Sequence, residues 1–390
     1  DACSMTATQI VADISSGNLT AEAIMTDHLA RINARDSAVN AFIDFDPDRA
    51  LKLARAADRQ TKKGILHGVP LAVKDIIDTL DMPTAWGSPI YADFQAPRNA
   101  SCVEMFLLAG AIPIGKTVTT EFAYFSPGPT RNPHNLEHTP GGSSSGSAAA
   151  VADGMAVLGL GSQTAASLTR PAAYCGVFGY KASYGSIDLQ GVMGLATSLD
   201  SLGLLARSID DLILSRAALC GALLPNELPA DPASRAIAFF KGPHWHEASR
   251  PIQDAILESR DVLASAGVRV TDLECPQEFI QLSESHKVIM AFEVARARQF
   301  EFRNHPEKLS GAFYSLIETG LATSRADYEA ALATRDAGEA VMAELCLTYD
   351  ALMTPAAPSS APAGIEATGD PLFSRLWTVM RVPTVTIPYG

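Results

Sequence analysis

The N-terminal sixty residues carry apolar side chains at helical spacing, with polar residues between them. Thr6 and Thr20 each precede such a stretch at a position typical of a helix N-cap, and Pro47 opens a third. In the second stretch, Ile24 and Ile32 fall on the same face of the predicted helix. The pattern therefore predicts three helices that pack on the outside of a core.

From Gly68 onward the apolar residues form short continuous runs. Residues 69–73 and 111–115 are predicted strands, and 102–110 between them is a predicted helix. Near-continuous apolar strands that alternate with helices are typical of an α/β domain with a buried sheet. Further along, 236–240 is predicted as a strand and 252–266 and 324–345 as helices. We expect 349–355 and 383–388 to return to the core.

Composition narrows the class of protein. The chain has 390 residues, of which 47% are hydrophobic and 19% charged, so it can bury a sizeable core. Its net charge of −13 argues against nucleic acid or an anionic membrane surface as a partner. The six cysteines form no CxxC pair, and no apolar run is long enough to span a bilayer. We therefore expect free thiols and a cytoplasmic protein.

Two clusters of small and hydroxylated residues stand in the middle of the chain. The first is PGGSSSGS at 140–147, and the second is GSQTAAS at 161–167. Small residues let backbone N–H groups approach a ligand closely, and serine supplies a nucleophile or a hydrogen-bond donor. A third unusual feature is Lys74, which follows the apolar run of the first predicted strand. From the residues alone, a catalytic site is one interpretation, and a polar linker with a lysine that snorkels at a strand end is the alternative.

These motifs, in this order, resemble the amidase signature family. The resemblance rests on GVPLAVKD at 68–75, on PGGSSSGS and on GSQTAASLTRPAAYCG at 161–176, and it extends over about 60–215 and the last 45 residues. It implies the amidase signature fold, an α/β fold with a central mixed β-sheet covered by helices on both faces.

The resemblance also implies one domain over 1–390. Its parts would be N-terminal helices at 1–60, a catalytic core at 61–220, a variable helical region at 221–345 that shapes the substrate site, and a return to the core at 346–390. Family members usually continue for several more elements, so we expect the C-terminus of this sequence to be incomplete.

By the same resemblance, Ser167 is the expected nucleophile. Ser143, in a cis-peptide setting, would relay a proton between Ser167 and Lys74, and Lys74 would be the base. A free lysine titrates near ~10.4, so the pKa of Lys74 must be lowered by burial for it to act as a base at neutral pH.

The expected oxyanion hole consists of the backbone N–H groups of Thr164, Ala165, Ala166 and Ser167. The family usually has Asp-Thr-Gly-Gly before the nucleophile, whereas this chain has Gln163-Thr164-Ala165-Ala166. If either alanine had to adopt a positive φ, the strain would cost about 1 kcal/mol and could tilt a donor.

Arg170 lies three residues after Ser167, as in the malonamidase-like branch of the family, where arginine faces a substrate carboxylate. A guanidinium suits that role, and an ion pair within the fold is the alternative. Tyr124, Phe125 and Trp377 are candidate pocket-lining aromatics, with core packing as the alternative role for each.

The sequence lacks the motifs of several other kinds of catalytic site. The eight histidines form no HxH or HExxH pattern, and the chain has no GxSxG elbow, P-loop or dinucleotide fingerprint. We therefore predict no metal and no cofactor.

The expected activity is hydrolysis of a carboxamide in a small molecule through an acyl-enzyme on Ser167. Three alternatives stay open: a carbamate, urethane or urea-type hydrolase, a protein like the A subunit of the tRNA-dependent amidotransferase, and a catalytically silent binding relative. The residues before Ser167 and the acidic charge argue against the amidotransferase, and the two alanines keep the silent relative open. A homodimer is expected by analogy with the family.

Overall fold

A computed structural model describes residues 2–61, 63–221 and 231–389 of the chain. Its first half contains α1 (Ala7–Ser16), α2 (Ala21–Val39), β1 (Phe42–Phe45), α3 (Pro47–Asp58), β2 (Pro70–Lys74), α4 (Ser101–Leu108), β3 (Ile112–Thr117), α5 (Ser145–Ala152), β4 (Leu158–Gln163), α6 (Thr169–Cys175), β5 (Phe178–Lys181), β6 (Ser201–Ala206) and α7 (Ile209–Cys220).

The second half contains β7 (Ala236–Phe240), α8 (Arg250–Ser265), β8 (Arg269–Leu273), α9 (Leu282–Ala297), α10 (Gln299–Asn304), α11 (Gly311–Ala322), α12 (Arg325–Thr348), β9 (Ala351–Met353), α13 (Leu372–Val379) and β10 (Thr384–Thr386). None of the helices in the described residues is both long enough and apolar enough to cross a membrane.

The N-terminal helices begin where the sequence predicts. Thr6 caps α1 in a capping box with Gln9, and the Thr20 side chain accepts a hydrogen bond from the Ala23 N–H at the start of α2. Pro47 occupies the first turn of α3, whose cap is Asp46. The three predicted helices are confirmed, each with a small shift at its ends.

A mixed sheet of seven strands forms the centre of the fold, in the order β1-β3-β2-β4-β6-β5-β10. β2 pairs in parallel with both β3 and β4, whereas the pairs β1–β3, β4–β6, β5–β6 and β5–β10 are antiparallel. The two central strands β2 and β4 are buried at every residue, because helices pack against the sheet. The predicted α/β fold with a central mixed sheet is confirmed.

Parallel pairing brings three polar strand ends to one edge of the sheet. Lys74 ends β2, Gln163 ends β4 and Thr117 ends β3, so all three lie at the carboxyl edge. The loop before α5 crosses this edge so closely that a Cβ at Gly161 would lie 2.8 Å from Ser144 Oγ. A glycine in β4 is therefore what lets the first serine cluster approach the second.

The region after residue 230 contains a second sheet, in the order β8-β7-β9, with parallel pairs. The sequence predicts β7 correctly but not β8. β8 escapes prediction because three of its five residues are exposed and two of them, Arg269 and Asp272, are charged. Within 349–355, β9 pairs with β7 in this second sheet and not with the large sheet, although Leu352 packs against the main core. Within 383–388, β10 pairs with β5 in the large sheet.

One prediction concerns the core beside the large sheet. Phe106 on α4 is fully buried, whereas Leu108 on the same helix is 76% exposed. Phe106→Ala should lower the free energy of unfolding by about 3–5 kcal/mol, because it removes apolar contacts and leaves a cavity. Leu108→Ala should change it by less than about 0.5 kcal/mol. Urea unfolding of both variants measures the difference, and equal losses would contradict this placement of α4.

Candidate active site

Lys74 is the centre of a polar cluster in the interior. Its side chain is fully buried, and Nζ lies 2.7 Å from Ser143 Oγ and 2.9 Å from Ser162 Oγ. No carboxylate in the described residues lies within ion-pair distance of Nζ. Burial lowers the pKa of Lys74 to about 7, against a smaller opposing effect from the charge of Asp200. At neutral pH a large fraction of the amine is therefore unprotonated.

Ser143 reaches Lys74 from the loop before α5. The peptide bond between Gly142 and Ser143 is cis. The next residue, Ser144, donates its backbone N–H to the Ser167 carbonyl at 3.1 Å. The loop that carries Ser143 is thereby joined directly to the turn that carries Ser167.

The turn from Thr164 to Ser167 connects β4 to α6, and distant helices hold its first two carbonyl groups. His286 on α9 donates its Nε2–H to the Thr164 carbonyl at 2.6 Å, and burial lowers the pKa of this imidazole to about 4, so it is neutral. Thr378 on α13 donates its hydroxyl to the Ala165 carbonyl at 2.8 Å.

The other two carbonyl groups of the turn have nearer partners. Arg170 donates its backbone N–H to the Ala166 carbonyl at 3.1 Å, and the Ser144 N–H occupies the Ser167 carbonyl. All four carbonyls are thus fixed. The four N–H groups of residues 164–167 donate to no acceptor in the residues that the structure describes, so they are free for an anionic oxygen.

The side chain of Gln163 bonds to the residues that follow the turn and to α13. Its Oε1 accepts hydrogen bonds from the backbone N–H groups of Leu168 and Thr169 and from the Thr169 hydroxyl, at 2.9–3.0 Å. Its Nε2 donates to the Thr378 hydroxyl at 3.0 Å. Because the amide donates to the Thr378 hydroxyl, that hydroxyl keeps its own proton for the Ala165 carbonyl, whereas a carboxylate at the same place would compete for that proton.

Asp200 provides a second support. Its carboxylate accepts hydrogen bonds from the Thr164 hydroxyl and from the backbone N–H groups of Leu195 and Ala196. The carboxyl group is fully enclosed, and burial raises its pKa to about 7 in spite of these bonds. Asp200 therefore links the turn to the loop before β6, and its negative charge is the acidic group that raises the pKa of Lys74.

The alanines at 165 and 166 carry no backbone strain. Neither has a positive φ, in contrast to Phe122 and to the pocket residue Ala123. Glycine is therefore not required at either position in this conformation. The strain that the departure from Gly-Gly led us to expect does not arise.

The turn faces a pocket of about 310 Å³, including its open mouth. Ser143 and residues 164–167 form its floor, and the walls consist of Ala123, Tyr124, Phe125, Arg170, Leu195, Met290 and Pro371. Tyr124 and Phe125 thus lie where the sequence predicts. Trp377 does not, because it packs in the core against Phe240 with ring centroids 5.6 Å apart.

Arg170 is buried and its terminal nitrogens are occupied. Nη1 donates to the Gly369 carbonyl at 2.5 Å, and Nη2 donates to the Gly142 carbonyl at 2.7 Å and to the Thr368 hydroxyl at 3.0 Å. The expected alternative of an ion pair within the fold does not occur among the described residues. The guanidinium instead holds the peptide group that precedes Ser143.

Sequence reasoning missed three residues of this arrangement as parts of the site, namely Asp200, His286 and Thr378. Asp200 stands in a stretch that the resemblance covers, so its position was a usable signal. His286 and Thr378 lie more than 100 residues from the turn in a sequence without a local motif. Only the fold brings them to it.

Cys175 and the metal-binding side chains form no second centre in the part of the chain that the structure describes. Cys175 is buried, and burial raises its pKa well above the usual range of a thiol, so it behaves as an apolar residue. Within the described residues, no group of three or more histidine, cysteine, aspartate or glutamate side chains is arranged to hold a metal ion.

Several curated proteins similar to this chain share one name. The A subunit of glutamyl-tRNA(Gln) amidotransferase from Salinibacter ruber is 44% identical over 51% of this chain and 40% of its own length. Proteins of the same name from Gloeobacter violaceus and Streptomyces avermitilis are 34% and 32% identical, over 69% and 86% of this chain and 60% and 70% of their own lengths. The chain thus spans about half the length of the first two relatives.

Solved structures agree on the fold. An amidase crystal structure superposes with a TM-score of 0.89 at 28% identity, over 99% of this chain and 92% of its own. The A subunit of glutamyl-tRNA(Gln) amidotransferase from Thermotoga maritima superposes with a TM-score of 0.80 at 26% identity, over 100% and 88%. The amidase family model matches residues 23–389. With its serine clusters gathered around a buried lysine, the chain belongs to the amidase family.

Proposed function

We propose that this protein cleaves the C–N bond of a carboxamide through an acyl-enzyme on Ser167. The observation that carries the proposal is the turn at 164–167, whose four carbonyl groups are fixed and whose four N–H groups are free. Beside it lies Lys74, whose buried amine is the only lysine amine in the described residues that contacts a serine of the pocket. Such preorganised donors stabilise the oxyanion of a tetrahedral intermediate.

In the first step, Ser167 Oγ attacks the carbonyl carbon and its proton passes through Ser143 Oγ to the neutral Nζ of Lys74. The 2.7 Å contact between Lys74 and Ser143 supports the second half of this transfer. The first half requires the Ser167 hydroxyl to reach Ser143 Oγ when substrate is bound, since in the described residues it makes no hydrogen bond.

The intermediate then collapses. The C–N bond breaks, and the departing nitrogen takes the proton back from Lys74 through Ser143 and leaves as ammonia or an amine. Water repeats the sequence on the acyl-enzyme and releases the carboxylic acid. Ser162, whose hydroxyl also contacts Nζ, would hold the amine in place during both transfers.

A carbamate, urethane or urea-type carbonyl is compatible with the same steps, because the reacting groups contact only the carbonyl. A catalytically silent relative is disfavoured, because the alanines that suggested it adopt ordinary backbone conformations. We keep the carboxamide as the main proposal, since both the family and the solved amidase concern amides.

A second candidate function is favoured by the curated relatives, which are named for the A subunit of glutamyl-tRNA(Gln) amidotransferase rather than for the malonamidase-like branch. In that function the same site would release ammonia, and a partner protein would pass it to glutamyl-tRNA(Gln). The chain would then work in a cytoplasmic complex, and a homodimer would not be required. These relatives outweigh the sequence argument from the acidic charge.

The nucleophile is tested by Ser167→Ala. Loss of the attacking hydroxyl should reduce ammonia release from a panel of amides, diamides and carbamates by at least about a thousandfold. Mass spectrometry should find an acyl adduct on Ser167 in the unsubstituted protein. Ser215→Ala, which changes a buried hydroxyl on α7, is the control and should keep full activity. An active Ser167→Ala variant would refute the assignment.

The base is tested by the pH dependence of kcat/KM. Lys74 must be neutral to accept a proton, so kcat/KM should rise with pH through an apparent pKa of about 7. Asp200→Asn removes the negative charge that favours protonated Lys74, so the rise should move to lower pH while kcat falls. Asp210→Asn, an exposed change on α7, should leave the profile in place. A rise that does not move in Asp200→Asn would contradict this account.

The amidotransferase candidate is tested by purifying the tagged chain with its native partners and measuring amidation of glutamyl-tRNA(Gln). The complex should amidate this tRNA with an amide as nitrogen source, and the chain alone should only release ammonia. The same complex carrying Ser167→Ala should lose amidation with the amide but keep it with added ammonium salt. Amide hydrolysis without any tRNA amidation would support a stand-alone hydrolase.

A further inference from the structure

Glu293 on α9 binds the loop that precedes β6. Its Oε2 accepts the backbone N–H of Ser198 at 3.0 Å, and its Oε1 accepts the Ser198 hydroxyl at 2.6 Å. The Thr197 hydroxyl donates to Oε2 at 3.4 Å, and the Tyr328 hydroxyl on α12 donates to Oε1 at 2.8 Å. Hydrogen bonds to an ionised carboxylate are stronger than those between neutral groups. Glu293 therefore attaches this loop firmly to α9.

Arg298 attaches the other end of the same loop. It directly follows α9 and is buried, and its Nη2 donates to the Gly194 carbonyl. Its Nη1 forms an ion pair with Glu301 Oε1 at 3.2 Å, which fixes the guanidinium in turn. The loop from Gly194 to Ser198, called the 194–198 loop below, is thus held at both ends by the last part of one helix.

The inner side of the 194–198 loop encloses the Asp200 carboxylate. The backbone N–H groups of Leu195 and Ala196 lie between the two attachment points and donate to Asp200 Oδ2 at 2.9 and 3.0 Å. Gly194 approaches the same oxygen so closely that a Cβ there would lie 3.2 Å from it. Because both donors belong to the loop, a displacement of the loop would move them away from the carboxylate together.

Asp200 connects the 194–198 loop to the reacting groups. Its Oδ1 accepts the Thr164 hydroxyl at the start of the turn that offers the oxyanion hole. Burial lowers the pKa of Lys74, and the charge of Asp200 opposes that effect. Leu195 itself lines the pocket. The position of this loop therefore affects the turn, the base and one wall of the pocket.

We propose that Glu293 is a positioning residue for the amide cleavage, which holds the 194–198 loop so that Asp200 keeps its place beside Thr164 and Lys74. This inference rests on the proposed function and adds a residue from outside the pocket to it. Among the described residues, those that line the pocket do not include Glu293. It therefore acts through the loop and Asp200, and not on the substrate.

The hydrogen bonds and the charge of Glu293 act on Asp200 in opposite directions. Burial is the main cause of the raised pKa of Asp200, the bonds from Thr164, Leu195 and Ala196 lower it, and the negative charge of Glu293 raises it by the smallest of these contributions. Loss of the loop attachment should therefore outweigh loss of the charge. The other titratable or charged groups around Asp200 and the loop, within the described residues, are Lys74 on β2, His286 and Arg298 on or next to α9, Glu301 on α10 and Tyr328 on α12.

The experiment is a double-mutant cycle between Glu293 and Asp200. Glu293→Ala removes the acceptor of the Ser198 N–H, so kcat for amide hydrolysis should fall by about 10- to 100-fold while KM changes by less than about threefold. In an Asp200→Asn background the same substitution should lower kcat by less than about twofold, because the group that Glu293 positions is already lost. Glu293→Gln keeps one acceptor oxygen and should recover part of the activity. Equal losses in both backgrounds would overturn the proposal.

The pH dependence of kcat/KM distinguishes positioning from a loss of folded protein. In Glu293→Ala the weaker hydrogen bonds should favour the protonated form of Asp200, which lowers the pKa of Lys74. The rise of kcat/KM should therefore move to lower pH, as in Asp200→Asn. A merely structural role would reduce the amount of active enzyme and leave the midpoint in place, and an unmoved midpoint would overturn the proposal.

Glu284→Ala is the matched control. It removes a carboxylate from the exposed surface of the same helix, where Glu284 pairs with Lys287, and should leave kcat, KM and the midpoint unchanged. Thermal unfolding of each variant shows whether it is folded. Glu293 suits the test better than Arg298, because removal of that guanidinium would leave the buried Glu301 without its cation.

A measurement without turnover keeps this inference separate from the proposed reaction. The titration of Lys74 is followed by ¹³C NMR of protein labelled at lysine Cε, in Ser167→Ala with and without Glu293→Ala, and Lys74→Met assigns the signal. A midpoint that moves to lower pH in the double variant supports the positioning role even if no amide is hydrolysed. Equal midpoints would overturn it and leave the amide cleavage intact.

Discussion

The structure depends on keeping one lysine amine inside the protein without a carboxylate partner. A charged Lys74 would lose its hydration in the protein interior and gain only two hydrogen bonds to serine hydroxyls in return. The neutral form avoids most of that loss, which is why burial moves the pKa of Lys74 to about 7. Strand β2 supplies this burial, because it is central in the sheet and enclosed at every residue.

A buried amine has a use only if its partners hold their positions. The parallel pairing of β2 with β4 fixes the ends of both strands at one edge of the sheet. Gly161 lets the loop that carries Ser143 and Ser144, here called the serine loop, cross that edge. Asp200 is close enough to moderate the pKa of Lys74, yet its oxygens are engaged by the turn and by the loop before β6. The Asp200 carboxylate thus moderates the pKa of Lys74 and also holds the backbone of the turn and of the loop before β6. Because the carboxylate is buried, it can do both.

Much of this site could be predicted from the sequence, because its central parts are local. The run that ends at Lys74, the two serine clusters and the turn after β4 are each continuous in the chain, and the family resemblance orders them. What escaped prediction depends on contacts between distant segments. His286 and Thr378 have no motif, Trp377 could not be assigned to core or pocket from its type alone, and the exposed strand β8 lacks the apolar run that predicts β7. The glycine-to-alanine departure was misjudged because φ depends on the finished turn.

Four hydrogen bonds hold the carbonyl groups of the turn at 164–167, and they limit how such proteins can diverge. Its anchors come from α9, α13, α6 and the serine loop, so the segment between residues 231 and 353 is not a detachable specificity module. A chimera that exchanges this segment for that of a relative would also exchange the group that holds the Thr164 carbonyl. Grafting would succeed only where the donor brings a hydrogen-bond donor to the place of His286. We therefore expect the segment between residues 231 and 353 and the turn at 164–167 to change together in evolution.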